Sequence, residues 1–224
     1  MTMSNVSLAR IAVLFVFVAL PSVAVVAQQS ARSPKEVALG LARSGKAVGV
    51  VLSSSDFEGL ERAARSGPPE PLEHDDVILF ERTHPEWLVQ EIADTVRLIR
   101  RDAPTEIVEL LNRPRYLPEA VRMSASAGLV HVVGAILMQR EPGGVLGSGP
   151  APSEKCPLND PVVFADGPAS GFDLLGSIVR QAHGLAWLVI YDQHNGTGRF
   201  DLGLWCEDGM YFRVELTRAL IRGE

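Results

Sequence analysis

PVVFADGPASGFDLLGSIVRQAHGLAWLVIYDQHNGTGRFDLGLWCEDGMYFRVELT, residues 161–217, is the stretch that decides the fold. Pro161 to Asp166 has the composition of a strand, and Pro168 to Gln181 repeats apolar residues at helical spacing. Phe172, Leu175, Ile178 and Val179 then fall on one face of that helix. Ala186 to Tyr191 is an unbroken apolar run, the mark of a strand buried on both sides. Asp192 to Gly198 supplies turn residues. Arg199 to Cys206 and Met210 to Thr217 read as strands joined by Glu207-Asp208-Gly209, where Asp-Gly favours a tight hairpin turn. The order is strand, helix, strand, strand, strand, which is a helix laid on a sheet and therefore the α+β class.

Upstream, residues 34 to 101 read helix, strand, helix, strand, strand. Ser33-Pro34-Lys35-Glu36 has the composition of a capping box with proline at the first helical position. Val37 and Leu41 form that helix's buried stripe, and Gly45 ends it. Val48, Val50, Val51 and Leu52 follow as a strand. Asp56 to Arg65 has a weak helical pattern, a proline-rich loop follows, and His74 to Arg82 has Val77, Ile78 and Phe80 in helical reach. Trp87 to Ile92 and Thr95 to Arg100 flank Ala93-Asp94 as a hairpin. Pro104 to Leu111 is a helix, and Pro118 opens another that keeps its period through Leu129, Val132, Val133, Ile136 and Leu137. Glu141 to Lys155 holds four glycines and three prolines. The expected organisation is thus an α+β region with a helical connector at 28–140, a linker at 141–160 and a βαβββ module at 161–224. Each region would have its own small antiparallel or mixed sheet, covered by helices on one face.

The amino terminus carries an address. Residues 1–27 contain no acid and one base, Arg10, and Ile11 to Leu20 is wholly apolar. Val25 and Ala27 offer the small residues that a signal peptidase needs, so cleavage is expected between Ala27 and Gln28. Even Ile11 to Ala27 is only 17 residues, short of the roughly 20 that cross a membrane's hydrocarbon core. The mature chain is therefore expected in the periplasm or outside the cell, with no stable membrane insertion.

The full chain has 21 basic and 27 acidic residues, and the leader removes one arginine, so the mature net charge is −7. The densest basic stretch, Arg97, Arg100 and Arg101 with Arg113 and Arg115 nearby, is flanked by acids. That excludes a backbone-phosphate stripe, and no nucleic-acid partner is expected. The two cysteines, Cys156 and Cys206, are expected to form a disulfide in an oxidising compartment. Neither CxxC nor HxxxH occurs, so no metal site and no cofactor is expected.

Two segments share a pattern: Val37 to Arg43 and Leu174 to Arg180 are each a helix ending in arginine, followed by a glycine turn and a strand. In the second, Phe164, Asp166 and Pro168-Ala169 lead to Leu174, Leu175, Ile178 and Val179-Arg180-Gln181. This resembles the short N-terminal (STN) module of secretins and TonB-dependent receptors, a small periplasmic domain that works by contacting other proteins. The resemblance is carried mainly by residues 161–217, with a looser copy at 34–101. It implies an envelope protein as partner. One additional residue between Pro168-Ala169 and the leucines, and the paired cysteines, depart from the pattern.

The densest polar constellation is Asp192, His194, Asn195, Glu207 and Asp208. Together these could bind a metal or serve a hydrolase through acid–base chemistry, but all lie in turn sequences where Asp, Asn and Gly are chosen for backbone reasons. His131 is expected inside an apolar helix and His183 at a helix carboxyl end. Asn195-Gly196-Thr197 matches a glycosylation sequon, relevant only to a eukaryotic secretory pathway. Residues 143–149 are glycine-rich but lack the Lys-Ser/Thr of a phosphate loop. Trp87, Trp187, Trp205 and Tyr191 lie in strands, where packing is the usual task. The expected function is a non-enzymatic protein-interaction module. An extracytoplasmic hydrolase using Asp192, His194 and Glu207, or a small-ligand carrier, is the alternative.

Overall fold

The computed structural model describes residues 32–62, 70–72, 74–92, 94–117, 119–137, 146–148, 156–192, 200–206 and 211–215. Its first helix begins where capping chemistry dictates. Ser33 Oγ accepts the Glu36 amide, and the Glu36 carboxylate accepts from Ser33 N at 2.8 Å, fixing α1 (Pro34–Arg43). Gly45, at φ 79°, turns the chain into β1 (Ala47–Ser53). There follow α2 (Ser54–Arg62), α3 (His74–Thr83), the hairpin β2 (Trp87–Ile92) and β3 (Thr95–Arg100), and α4 (Thr105–Asn112). Next come β4 (Arg115–Leu117), β5 (Val121–Ser124), α5 (Ala125–Leu137) and β6 (Leu146–Ser148). The remainder is β7 (Pro161–Phe164), β8 (Gly167–Ala169), α6 (Gly171–Gln181), β9 (Leu185–Tyr191), β10 (Phe200–Cys206) and β11 (Tyr211–Glu215).

Seven strands form one mixed sheet in the order β2-β3-β1-β9-β10-β11-β6. Its centre, β3, β1 and β9, is parallel, and antiparallel pairs extend it on both sides. Parallel neighbours need crossover connections, which lay helices on the sheet and bury both of its faces. The side chains divide accordingly. Val48, Val50, Leu52, Val96, Leu98, Leu188 and Ile190 pack with the apolar residues of α1, α2 and α3. Val51, Ile99, Trp187, Val189, Leu202 and Leu204 pack with those of α4, α5 and α6.

The α+β class holds, with strands in mixed pairing and two small antiparallel ribbons, β4–β8 and β5–β7. The expected parting at 141–160 does not. β1 and β9, from opposite sides of that segment, pair from Val48↔Ala186 to Ser53↔Tyr191, and Arg32–Glu224 is one compact unit. Nor is a helix layer confined to one face. The runs 47–53 and 185–191 are apolar at every phase, so each needs cover on two sides, and a small separate sheet offers cover on only one. Within 141–160, Leu146–Ser148 serves as an edge strand against β11.

Two helix starts also move. The helix expected from residue 118 onward starts only at Ala125, because residues 115–117 and 121–124 are drawn into pairing with β8 and β7. Ser124 Oγ accepts from the Ala127 amide there. Similarly, Gly167–Ala169 pairs with β4, so α6 begins after Ser170, whose hydroxyl caps Asp173 N. Cys156 and Cys206 are joined, their Cα atoms 5.4 Å apart, which ties the segment before β7 to the end of β10.

Candidate functional site

Of the expected polar constellation, only Asp192 is among the described residues; His194, Asn195, Glu207 and Asp208 lie outside them. The strand register still bears on it. Tyr191, just before Asp192, pairs with Phe200, whereas Cys206, just before Glu207, pairs with Leu185. Tyr191 and Cys206 therefore stand at opposite ends of the β9–β10 pair, about 20 Å apart by strand rise. The expected cleavage point, Ala27 and Gln28, also lies outside the described residues.

His131 is half-buried, its ring stacked on Phe164 at 5.5 Å, and His183 is exposed. Trp87, Trp187, Trp205 and Tyr191 are all buried, and Trp205 Nε1 donates to Glu61 at 3.0 Å. Among the described residues, no group of three or more His, Cys, Asp or Glu could hold a metal ion, and no helix is long and apolar enough to cross a membrane.

Two other places concentrate polar side chains. The first is at the carboxyl ends of β1, β3 and β9, the end at which open parallel sheets bind ligands. Arg100 holds Asp102 with two bonds of 3.1 Å, and Asp56 lies 3.4 Å from Arg100 Nε. Tyr191 Oη donates to Asp102 at 2.9 Å, and Ser53 Oγ donates to Asp56 at 2.8 Å. The bond from Arg100 holds the Asp102 carboxyl below its ordinary range, against the opposing effect of burial. Burial first, then the bond to Asp102, pushes the Tyr191 phenol up. Every group in this network satisfies another, so its chemistry is that of a clamp on three strand ends rather than a reactive centre.

The second place is a groove of about 400 Å³ lined by Ile92, Arg97, Asn112, Pro114, Pro168, Ala169, Ser170 and Asp173. Open to solvent, it lies beside the end of β2, on the α4–α6 side of the sheet. Arg97 comes from β3, whose alternation puts Val96 and Leu98 on one face and Arg97 with Ile99 on the other. Only 6% of Arg97 is exposed. Its Cζ stands 4.4 Å from the Phe172 ring centroid, and among the described residues its Nε has no hydrogen-bond partner. Burial pulls the Arg97 pKa down, and the charge of Asp173 opposes that. Asp173 itself is engaged elsewhere, accepting from Ser170 N at 3.0 Å and from Ser170 Oγ at 2.6 Å. Burial pulls the Asp173 carboxyl up, but the Ser170 bonds and the charges of Arg97 and Arg180 outweigh it and hold it low. Arg180 bonds Asp94 and Thr95 at 3.2 Å each. Among the described residues, the Nε of this buried arginine is thus left without an acceptor beside an open groove.

The sequence reading passed over Arg97, grouping it with Arg100 and Arg101 as the densest basic stretch. A usable signal lay in Thr95-Val96-Arg97-Leu98-Ile99, where the cation sits inside an otherwise apolar strand. Fold and groove together define an α+β protein whose mixed sheet has a polar groove beside one edge. Comparison with protein-family models, curated proteins and solved structures finds no match for the chain.

Proposed function

We propose that the chain is an exported, non-enzymatic protein that binds a protein of the cell envelope outside the cytoplasm, an extended segment of that partner adding to the outer edge of β2. The observation that carries this reading is the edge itself. Among the described residues β2 pairs only with β3; it runs for six residues and ends at Ile92, which is 47% exposed. The opposite edge, β6, has three residues. Proteins ordinarily keep free edges short, charged or covered. β2 carries one charge, Glu91, which lies 3.1 Å from His74 Nδ1. A strand laid against such an edge gains a row of main-chain hydrogen bonds, with specificity supplied by alternate side chains. Export is supported by the signal-like residues 1–27 and by the Cys156–Cys206 bond, since disulfides persist in oxidising compartments. The likeness of residues 161–217 to the STN module, which acts by contacting other proteins, points the same way.

A photo-crosslinking amino acid placed at Ile92 of the mature protein in its native host tests the reading. The expected result is an adduct with one envelope protein, mapped by mass spectrometry to an extended segment. The same group at Tyr116, 72% exposed on the β4–β8 ribbon, should give none. Absence of an adduct at Ile92, or equal adducts at both positions, would refute it.

A further inference from the structure

We infer that the groove beside β2 is a carboxylate site, with Arg97 as its cationic acceptor and an acidic side chain of the added strand as its occupant. The nature of the occupant follows from the groove; its source rests on the strand-addition reading. A guanidinium withdrawn from water without an acceptor is unfavourable, and a partner group of opposite charge removes that penalty. Among ligand groups, the planar carboxylate matches the donor fork of arginine, with two parallel bonds. The charge balance also selects it. Asp173 lines the same groove and already offsets part of the Arg97 charge, so a single carboxylate is opposed less than a phosphate dianion would be. Asn112 and Ser170 add uncharged polar groups to the lining, and the amino end of α6 adds its partial positive charge.

Register brings the two features together. Arg97 pairs with Gln90 across the β2–β3 hairpin, and Ile92, two residues on from Gln90, lines the groove. A strand added to β2 would lie two strand spacings from β3, about 10 Å. An arginine and an acidic side chain on the same sheet face span that distance together. Gln90, on that face between them, is only partly buried.

The test follows the Arg97 Nε–Hε resonance and the β2 amides of the oxidised mature protein by nitrogen-15 NMR. Three probes are titrated: acetate, a capped hexapeptide alternating valine and glutamate, and its glutamine counterpart. The glutamate peptide is expected to shift both sets of signals and to bind about ten- to a hundredfold more tightly than the glutamine peptide, the range for a charge-assisted bond. Arg97→Gln should abolish that preference and leave the residual affinity of the edge, while Arg97→Lys should keep only part of it. Equal binding of the two peptides by the unaltered protein would overturn the carboxylate site and leave strand addition standing. A response to acetate with no peptide effect on the β2 amides would overturn strand addition, and with it the assignment to a partner's side chain. Because the peptide comparison uses the unaltered protein, it decides the matter even where a variant fails to fold.

Discussion

Gly49→Ala is the smallest substitution that should break this sheet. Gly49 lies in the central strand β1 and pairs with Trp187 of β9. A Cβ added at Gly49 would stand 1.7 Å from Trp187 Cε2 and 1.8 Å from Cζ2. Carbon atoms in contact keep about 3.5–4.0 Å, so the indole must retreat by about 2 Å. It has little room to do so. Trp187 is fully buried, and Phe172 stands behind it with ring centroids 5.5 Å apart. Overpacking a dense core costs about 1–3 kcal/mol, and a rigid ring meeting a central backbone belongs at the top of that range, about 3 kcal/mol. Equilibrium urea unfolding measured by circular dichroism reads this as a lower midpoint at unchanged slope. Trp187→Leu alone should cost a similar amount, about 3 kcal/mol, through the cavity it leaves. The double variant Gly49→Ala/Trp187→Leu should then be more stable than the sum of the two losses, by about 2 kcal/mol, because the leucine vacates the space the new methyl needs. A single variant within about 0.5 kcal/mol of the parent, or strictly additive losses, would refute the packing described.

Two further outcomes follow from bonds in the structure. Reducing the protein should lower its unfolding free energy by up to about 4 kcal/mol for a loop of this length, read as a lower urea midpoint, while Cys156→Ala/Cys206→Ala should be insensitive to reductant; equal sensitivity would mean the bond at 156–206 is not the constraint. Tyr191 should set the alkaline limit of stability. Its folded pKa is raised above the ordinary 10.0, so its contribution is complete below that pH and is lost as pH climbs through the folded value. Asp102 works in the opposite sense, contributing above its ordinary 3.8 and losing that contribution as pH falls below it. Tyr191→Phe should therefore flatten the alkaline limb of a stability–pH curve and leave a decline at acid pH; an unaltered alkaline limb would contradict the Tyr191–Asp102 bond.

Local chemistry made much of the fold legible. The capping box at Ser33 and Glu36, the glycine turn at Gly45 and the hairpin from Trp87 to Arg100 are written within a few residues of chain, and all stand as read. Pairing across long separations is not written that way. Nothing in the period of 47–53 says that its neighbour is 185–191, and a proline- and glycine-rich stretch between them reads as a boundary although part of it pairs as β6. Short strands such as Arg115–Leu117 and Val121–Ser124 carry too few residues to show a period, so Pro118 between them suggested a helix start. The groove was hidden for a related reason. Arg97 is legible as a charge, but its burial follows from Phe172, Asp173 and Ser170, more than 70 residues away in sequence.

Amide hydrogen exchange, with and without the crosslink-identified envelope partner, meets the account most directly at its centre. If a partner strand completes the sheet beside Arg97, exchange should slow along residues 87–92 and at the groove residues Asn112 and Ser170, with the far edge at 146–148 unchanged. Slowing confined to 146–148, or spread over the α1–α3 face with residues 87–92 unaffected, would contradict it.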